Sequence, residues 1–99
     1  MIKKQFVKSR KVTKVTFELP ADTEADKVML LADFNDWNPV EFDQQKNGKW
    51  KLVQELSPEQ SYQFRYILKQ NGSMEFINDP EADYTVPNDQ GTENCVIEA

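Results

Sequence analysis

Apolar and polar residues alternate along most of this chain with a period of two, and turn-forming residues interrupt the alternation at short intervals. Thr13, Val15, Phe17 and Leu19 share one parity against Lys14, Thr16 and Glu18, which predicts a half-buried strand stopped by Pro20. Ahead of it, Met1 to Arg10 reads as an irregular basic lead-in, with Ile2, Phe6 and Val7 as material for an edge strand. Lysines there discourage pairing with other chains. Ala21 to Asp26 is a polar loop. The next strand is predicted over Lys27–Phe34, with Val28, Leu30, Ala32 and Phe34 on one parity. Met29 and Leu31 make the other parity apolar too, so cover on both faces is expected.

The sequence FNDWNP, Phe34 to Pro39, then breaks the pattern. It can continue neither a strand nor a helix, and it puts a large flat ring in a loop. Val40 and Phe42 predict one short strand. Asn47-Gly48 predicts a type I′ hairpin, because both central positions of that turn need positive φ. Trp50, Leu52 and Leu56 continue on one parity, with Val53 on the other, and residues 57–60 form a turn. Over Ser61–Lys69, Tyr62, Phe64, Tyr66 and Leu68 point one way while Gln63, Arg65, Ile67 and Lys69 point the other. Asn71-Gly72 closes a second hairpin, with Met74–Ile77 returning. From Asp79-Pro80 to Gly91 turn residues dominate and no period survives. Cys95, Val96 and Ile97 form the last strand. Seven or eight short strands without a helical period predict an all-β fold, an antiparallel sandwich of immunoglobulin type. No repeat or linker divides the chain, so residues 1–99 are expected to be one domain.

Charge refines this picture. The net charge is −5, but residues 1–17 carry six of the twelve basic residues and none of the seventeen acids. The rest of the chain is strongly acidic and would repel phosphate, and no nucleic-acid motif accompanies the basic arm, so nucleic acid is not an expected partner. The longest strongly apolar run, Val28–Ala32, falls far short of the ~20 residues of a membrane helix. No apolar stretch follows the basic start. With a single cysteine, Cys95, a cytoplasmic location is the expectation.

Candidate chemistry is sparse. The absence of histidine removes the commonest general base and metal ligand. No serine or cysteine has a base to activate it, Cys95 has no zinc-binding companion, and the three glycines are scattered. Asp79, Glu81 and Asp83 alternate, but Pro80 between them suggests a turn rather than a calcium loop. No catalytic activity, metal or cofactor is expected. Sugar binding fits better. The C–H faces of a glucose ring are apolar and slightly positive, so they stack on electron-rich aromatic faces while the rim hydroxyls seek amides and charged groups. Trp37, Phe76, Asn94 and Arg65 supply those types. Read singly, each has an ordinary role: Trp37 as a plug, Phe76 in the core, Arg65 in solvent, Asn94 capping a turn.

A strand ending in FNDWNP, then NGKW, YQFRY, NDP and VPNDQGTENCVI, in that order, resembles carbohydrate-binding module family 48 from about Lys27 to Ile97. This is the isoamylase N-terminal or early-set domain, which also occurs as the glycogen-binding domain of the AMP-activated protein kinase β subunit. The resemblance implies an early-set immunoglobulin-like sandwich that binds α-1,4-linked glucans such as glycogen, starch or maltooligosaccharides. It implies that Trp37 is a stacking residue, that Arg65 contacts the sugar, and that Thr92 and Asn94 add the last contacts. The family's second stacking tryptophan stands shortly before its Asp-Pro. Here the hairpin is two residues longer, and counting back from Asp79-Pro80 reaches Phe76, whereas counting forward from Gly72 reaches Met74. Gln90 stands where kinase-type members carry an aliphatic residue. The expectation is a non-catalytic α-glucan-binding module. The alternative is an accessory module that docks onto a glucan-processing enzyme, such as a branching or debranching enzyme.

Overall fold

A computed structural model describes residues 2–99. Among them ten strands run in chain order: β1 Ile2–Val7, β2 Val12–Leu19, β3 Lys27–Ala32, β4 Val40–Glu41, β5 Asp43–Gln44, β6 Trp50–Leu56, β7 Ser61–Gln70, β8 Ser73–Ile77, β9 Tyr84–Pro87 and β10 Glu93–Glu98. They form two antiparallel sheets. The smaller has the order β1-β2-β6-β5, and the larger β4-β3-β7-β10-β9, with β8 also paired to β7. The expected all-β, early-set immunoglobulin-like sandwich is the fold observed.

The alternation in the sequence determines which side chains meet between the sheets. Val15, Phe17 and Leu19 of β2 and Trp50 and Leu56 of β6 face Val28, Leu30 and Ala32 of β3, Phe64 and Tyr66 of β7, and Cys95 and Ile97 of β10. Phe17 meets Phe64 edge-on at 5.2 Å between ring centroids, and Phe42 meets Tyr66 in the same way at 5.6 Å. Each such buried side chain contributes roughly 1.5–3 kcal/mol through removal from water. That is enough for these inward rows to set the register of every long strand.

Four expectations need correction. Strand β3 stops at Ala32 rather than Phe34, because residues Asp33–Asn35 turn into a short 3-10 helix. The stretch around Val40 and Phe42 is two strands, β4 on the larger sheet and β5 on the smaller, with buried Phe42 at the crossing. Asn47-Gly48 is not a type I′ turn. Only Gly48 has positive φ, at 88°, and the turn runs from Gln45, whose carbonyl accepts the Gly48 N–H at 2.9 Å. Finally, the aperiodic region after Pro80 contains β9, an edge strand whose exposed side chains left no alternation to read. The Asn71-Gly72 hairpin does form, with both residues at positive φ (51° and 80°) and Gln70 opposite Ser73.

The lead-in is more regular than its sequence suggests. All six residues of β1 pair with β2, which places Ile2, Lys4 and Phe6 on the inward parity of an edge strand; Met1 lies outside the described residues. Lys4 uses that position to reach the other sheet, donating to both Asp83 carboxylate oxygens (3.1 and 2.9 Å) and to the Glu98 carbonyl (3.1 Å). Burial disfavours the charged form of Asp83. The Glu98 N–H and the Lys4 ammonium outweigh it and hold the carboxyl below its usual range.

Candidate functional site

The outward face of the larger sheet is organised by β7, whose ten residues have three partners. Strand β3 takes one edge along residues 64–69. Strand β10 pairs with residues 61–64 and β8 with residues 66–70, so these two share the other edge and part company beside Arg65. Asn78, at the end of β8, bridges the fork by donating to the Glu93 carbonyl at 2.9 Å.

Arg65 fills this fork. Its Nε donates to Asn78 Oδ1 and its Nη1 to Thr92 Oγ1, each at 3.3 Å, and its guanidinium lies 5.3 Å from the centre of the Phe76 ring. All these partners are neutral, and among the described residues no carboxylate lies within ion-pair distance. The charge is therefore held in place by neutral side chains, without an ion pair among the described residues.

Beneath the fork, buried Asp79 accepts the Tyr66 hydroxyl at 2.7 Å and the Glu81 N–H at 2.8 Å, while its own N–H points at Cys95 Sγ at 3.2 Å. These bonds lock the Asn78-Asp79-Pro80 turn that presents Asn78 to Arg65. Burial, followed by the neighbouring Asp79 charge, pushes the Tyr66 hydroxyl far above its ordinary value. Burial likewise raises the Cys95 thiol, so neither group is primed for chemistry.

Trp37 enters from the opposite side. Strand β3 ends where the Asp33 carboxylate accepts the Gln63 N–H at 3.1 Å. Asn35 Oδ1 then accepts the Ala32 N–H at 3.3 Å and closes the 3-10 turn. Phe34 anchors the loop edge-on against Tyr62, 5.6 Å between centroids. Asp36 and Trp37 both adopt left-handed backbone angles, φ 58° and 60°, and the Trp37 N–H returns to the Ala32 carbonyl at 2.8 Å. A left-handed residue other than glycine costs roughly 1–2 kcal/mol, and strain of this kind concentrates at functional sites. The result is a Trp37 that is 41% exposed, on a turn closed by its own backbone hydrogen bonds.

The third side is the loop 88–92. Asn88 Oδ1 accepts the Gln90 and Thr92 N–H groups (3.0 and 3.2 Å), and its Nδ2 donates to Thr92 Oγ1 (2.8 Å) and Asn94 Oδ1 (3.0 Å). Asn94 Nδ2 passes the chain of bonds on to Gln63 Oε1 at 3.1 Å.

Together these elements enclose an open recess of about 430 Å³. Of the residues expected from sequence, Trp37, Arg65, Phe76 and Asn94 all line it. Thr92 does not line it; its hydroxyl supports Arg65 and Asn88 from behind. Phe76 lines the recess, and Met74 does not. Gln90 lines it as well. Leu31, Asn88 and Asp89 complete the wall and were not singled out from sequence. Leu31 had a signal in the second apolar parity of β3, whereas Asn88 and Asp89 looked like ordinary turn residues. No group of metal-ligating residues occurs among the described residues.

A β-sandwich of the early-set type, with an aromatic and amide recess on its larger sheet, is thus the class of protein defined by fold and site. The family model for carbohydrate-binding module 48 (isoamylase N-terminal domain) matches residues 6–82, and the chain belongs to that family. The match includes Trp37, Arg65 and Phe76 and ends before Thr92 and Asn94, which the fold brings to them. Similar solved structures include a pullulanase from Bacillus acidopullulyticus (TM-score 0.63, 20% identity, 99% of this chain and 12% of that one). Another is a product complex of the multi-modular glycogen-degrading pneumococcal virulence factor SpuA (TM-score 0.63, 18% identity, 100% of this chain and 12% of that one). The chain therefore spans about 12% of the length of each of these structures. No curated protein matches it.

Proposed function

We propose that this chain is a non-catalytic module that binds α-1,4-linked glucans, with sugar rings stacked on Trp37 and Phe76. Arg65 and Asn94 then meet the rim hydroxyls, and Thr92 holds Arg65 in position. The observation that carries this reading is that two exposed aromatic rings, from separate elements, open onto one recess that also contains a guanidinium held by neutral side chains. Family membership supports it. Phe76 offers a sugar less area than a tryptophan would. A loss of ~40 Å² at ~25 cal/mol per Å² weakens affinity about fivefold. Asn94 has both ends of its carboxamide engaged within the protein and contributes through its remaining hydrogen and lone pair.

Titration with maltoheptaose or β-cyclodextrin, followed by NMR, tests the proposal. Saturable shifts are expected at the Trp37 indole N–H, at Arg65 Nε–H and at the Asn94 carboxamide. If these resonances stay in place at millimolar sugar, the glucan reading is wrong and docking onto a glucan-processing enzyme takes its place.

A further inference from the structure

Outside the recess, the most prominent apolar feature of the same sheet face is Met74, 58% exposed and two residues from Phe76 on β8. Residues two apart on a strand point to the same side and lie about 7 Å apart, at ~3.4 Å per residue. That is longer than one α-1,4-linked unit and is spanned by two. Phe76 pairs with Ile67 and Met74 with Lys69, so the two exposed side chains form one continuous apolar strip leading from the recess toward the hairpin tip.

The strip ends in a second depression of about 470 Å³, lined by Met74 together with Lys27, Lys69, Asp26 and residues of the turn. This end of the hairpin is pinned. Asp26 accepts the Asn71 N–H at 3.0 Å through its carboxylate, and its own N–H donates to the Lys69 carbonyl at 2.7 Å. Lys27 is drawn toward Glu41 at 3.7 Å. The Lys69 ammonium directly opposite has no partner among the described residues, although like charges facing each other across a ladder are unfavourable.

We infer that Met74, Lys69 and the adjoining depression form a second contact zone for the same glucan, occupied by sugar units that run beyond Phe76 along β8. This rests on the glucan reading above and adds to it a dependence on chain length. A thioether packs adaptably against C–H surfaces, and the free ammonium donates to hydroxyls. A short oligosaccharide fills the recess alone, whereas a longer one reaches both zones.

The test uses the full chain with ¹³C-methyl methionine, the Met74 signal being assigned by its loss in Met74→Leu. Maltotriose should shift the Trp37 indole and leave the Met74 methyl unmoved, while maltoheptaose should shift both. In calorimetry, Met74→Ala should weaken maltoheptaose binding about fivefold, from ~40 Å² of lost contact, and leave maltotriose binding unchanged. A Met74 methyl that stays still while maltoheptaose saturates the Trp37 indole overturns the second zone alone. Equal weakening of both sugars by Met74→Ala also overturns it, because the substitution would then be acting on the recess. An indole that ignores both sugars removes the glucan reading and this zone with it.

Discussion

On the outer face of the smaller sheet, Lys14 stands opposite Glu55 and Glu18 opposite Lys51; Lys3 approaches Glu18 at 3.8 Å, and Arg10 pairs with Glu55. On the outer face of the larger sheet the same strand geometry displays Leu31, Arg65, Phe76 and Asn94, with Trp37 brought in beside them. Both faces are solvent-facing rows of alternating strands. The first sets bases opposite acids along the ladder and pairs Lys3 with Glu18 and Arg10 with Glu55. The second holds Arg65 among the neutral side chains of Asn78, Thr92 and Phe76 and leaves the Trp37 and Phe76 rings exposed. The contrast is that charges on the smaller sheet stand opposite charges of the other sign, whereas Arg65 is held by neutral side chains.

The largest effect that could break this contrast is expected at Trp37. Removing its ring forfeits roughly 100 Å² of sugar contact, about 2.5 kcal/mol, so Trp37→Ala should weaken maltoheptaose binding some fifty- to hundredfold by calorimetry. Conversely, Phe76→Trp should tighten binding about fivefold in the same assay. The left-handed backbone at residue 37 adds a sharper signature in denaturant titrations. Trp37→Gly should be more stable than Trp37→Ala by about 1 kcal/mol, reversing the usual order of these two residues.

Asp83 closes the edge between the sheets and should report on stability rather than binding. Its carboxyl is held below its ordinary value in the folded state. Its contribution is thus complete above the unfolded value of about 3.9 and is lost as pH falls through the folded one. Asp83→Asn should cost on the order of 1 kcal/mol at neutral pH, with the gap to the parent closing below about pH 4 in acid-denaturation curves. The smallest effect belongs to the smaller sheet's outer face. Glu55→Ala, which removes the partner of Arg10, should change stability by no more than about 0.5 kcal/mol and leave the glucan titration unaltered.

Much of this molecule was legible in the sequence. The inward rows of β2, β3 and β7, the outward parity of Arg65 and the placing of Trp37 in a loop all follow from a period of two and from turn chemistry, which are local properties. The errors fall where local pattern is weak. Strand β9 is an edge strand with little to bury, Phe42 lies where the chain changes sheets, and Asn47-Gly48 sits in a turn whose register is set by Gln45.

What the sequence determined alone is therefore the supply: which side chains face out, which face in, and which rings stand on turns, because alternation along a strand needs no partner. What only the tertiary structure decided is their meeting. Arg65 lies in a fork because β8 and β10 divide one edge of β7. Phe76 rather than Met74 reaches the recess, because ladder pairing, not distance along the chain, determines which residue of the longer hairpin lies nearest Arg65. Asn88 and Asp89 join Trp37 across more than fifty positions of sequence. Hydrogen bonding between strands is non-local, and no local pattern records it.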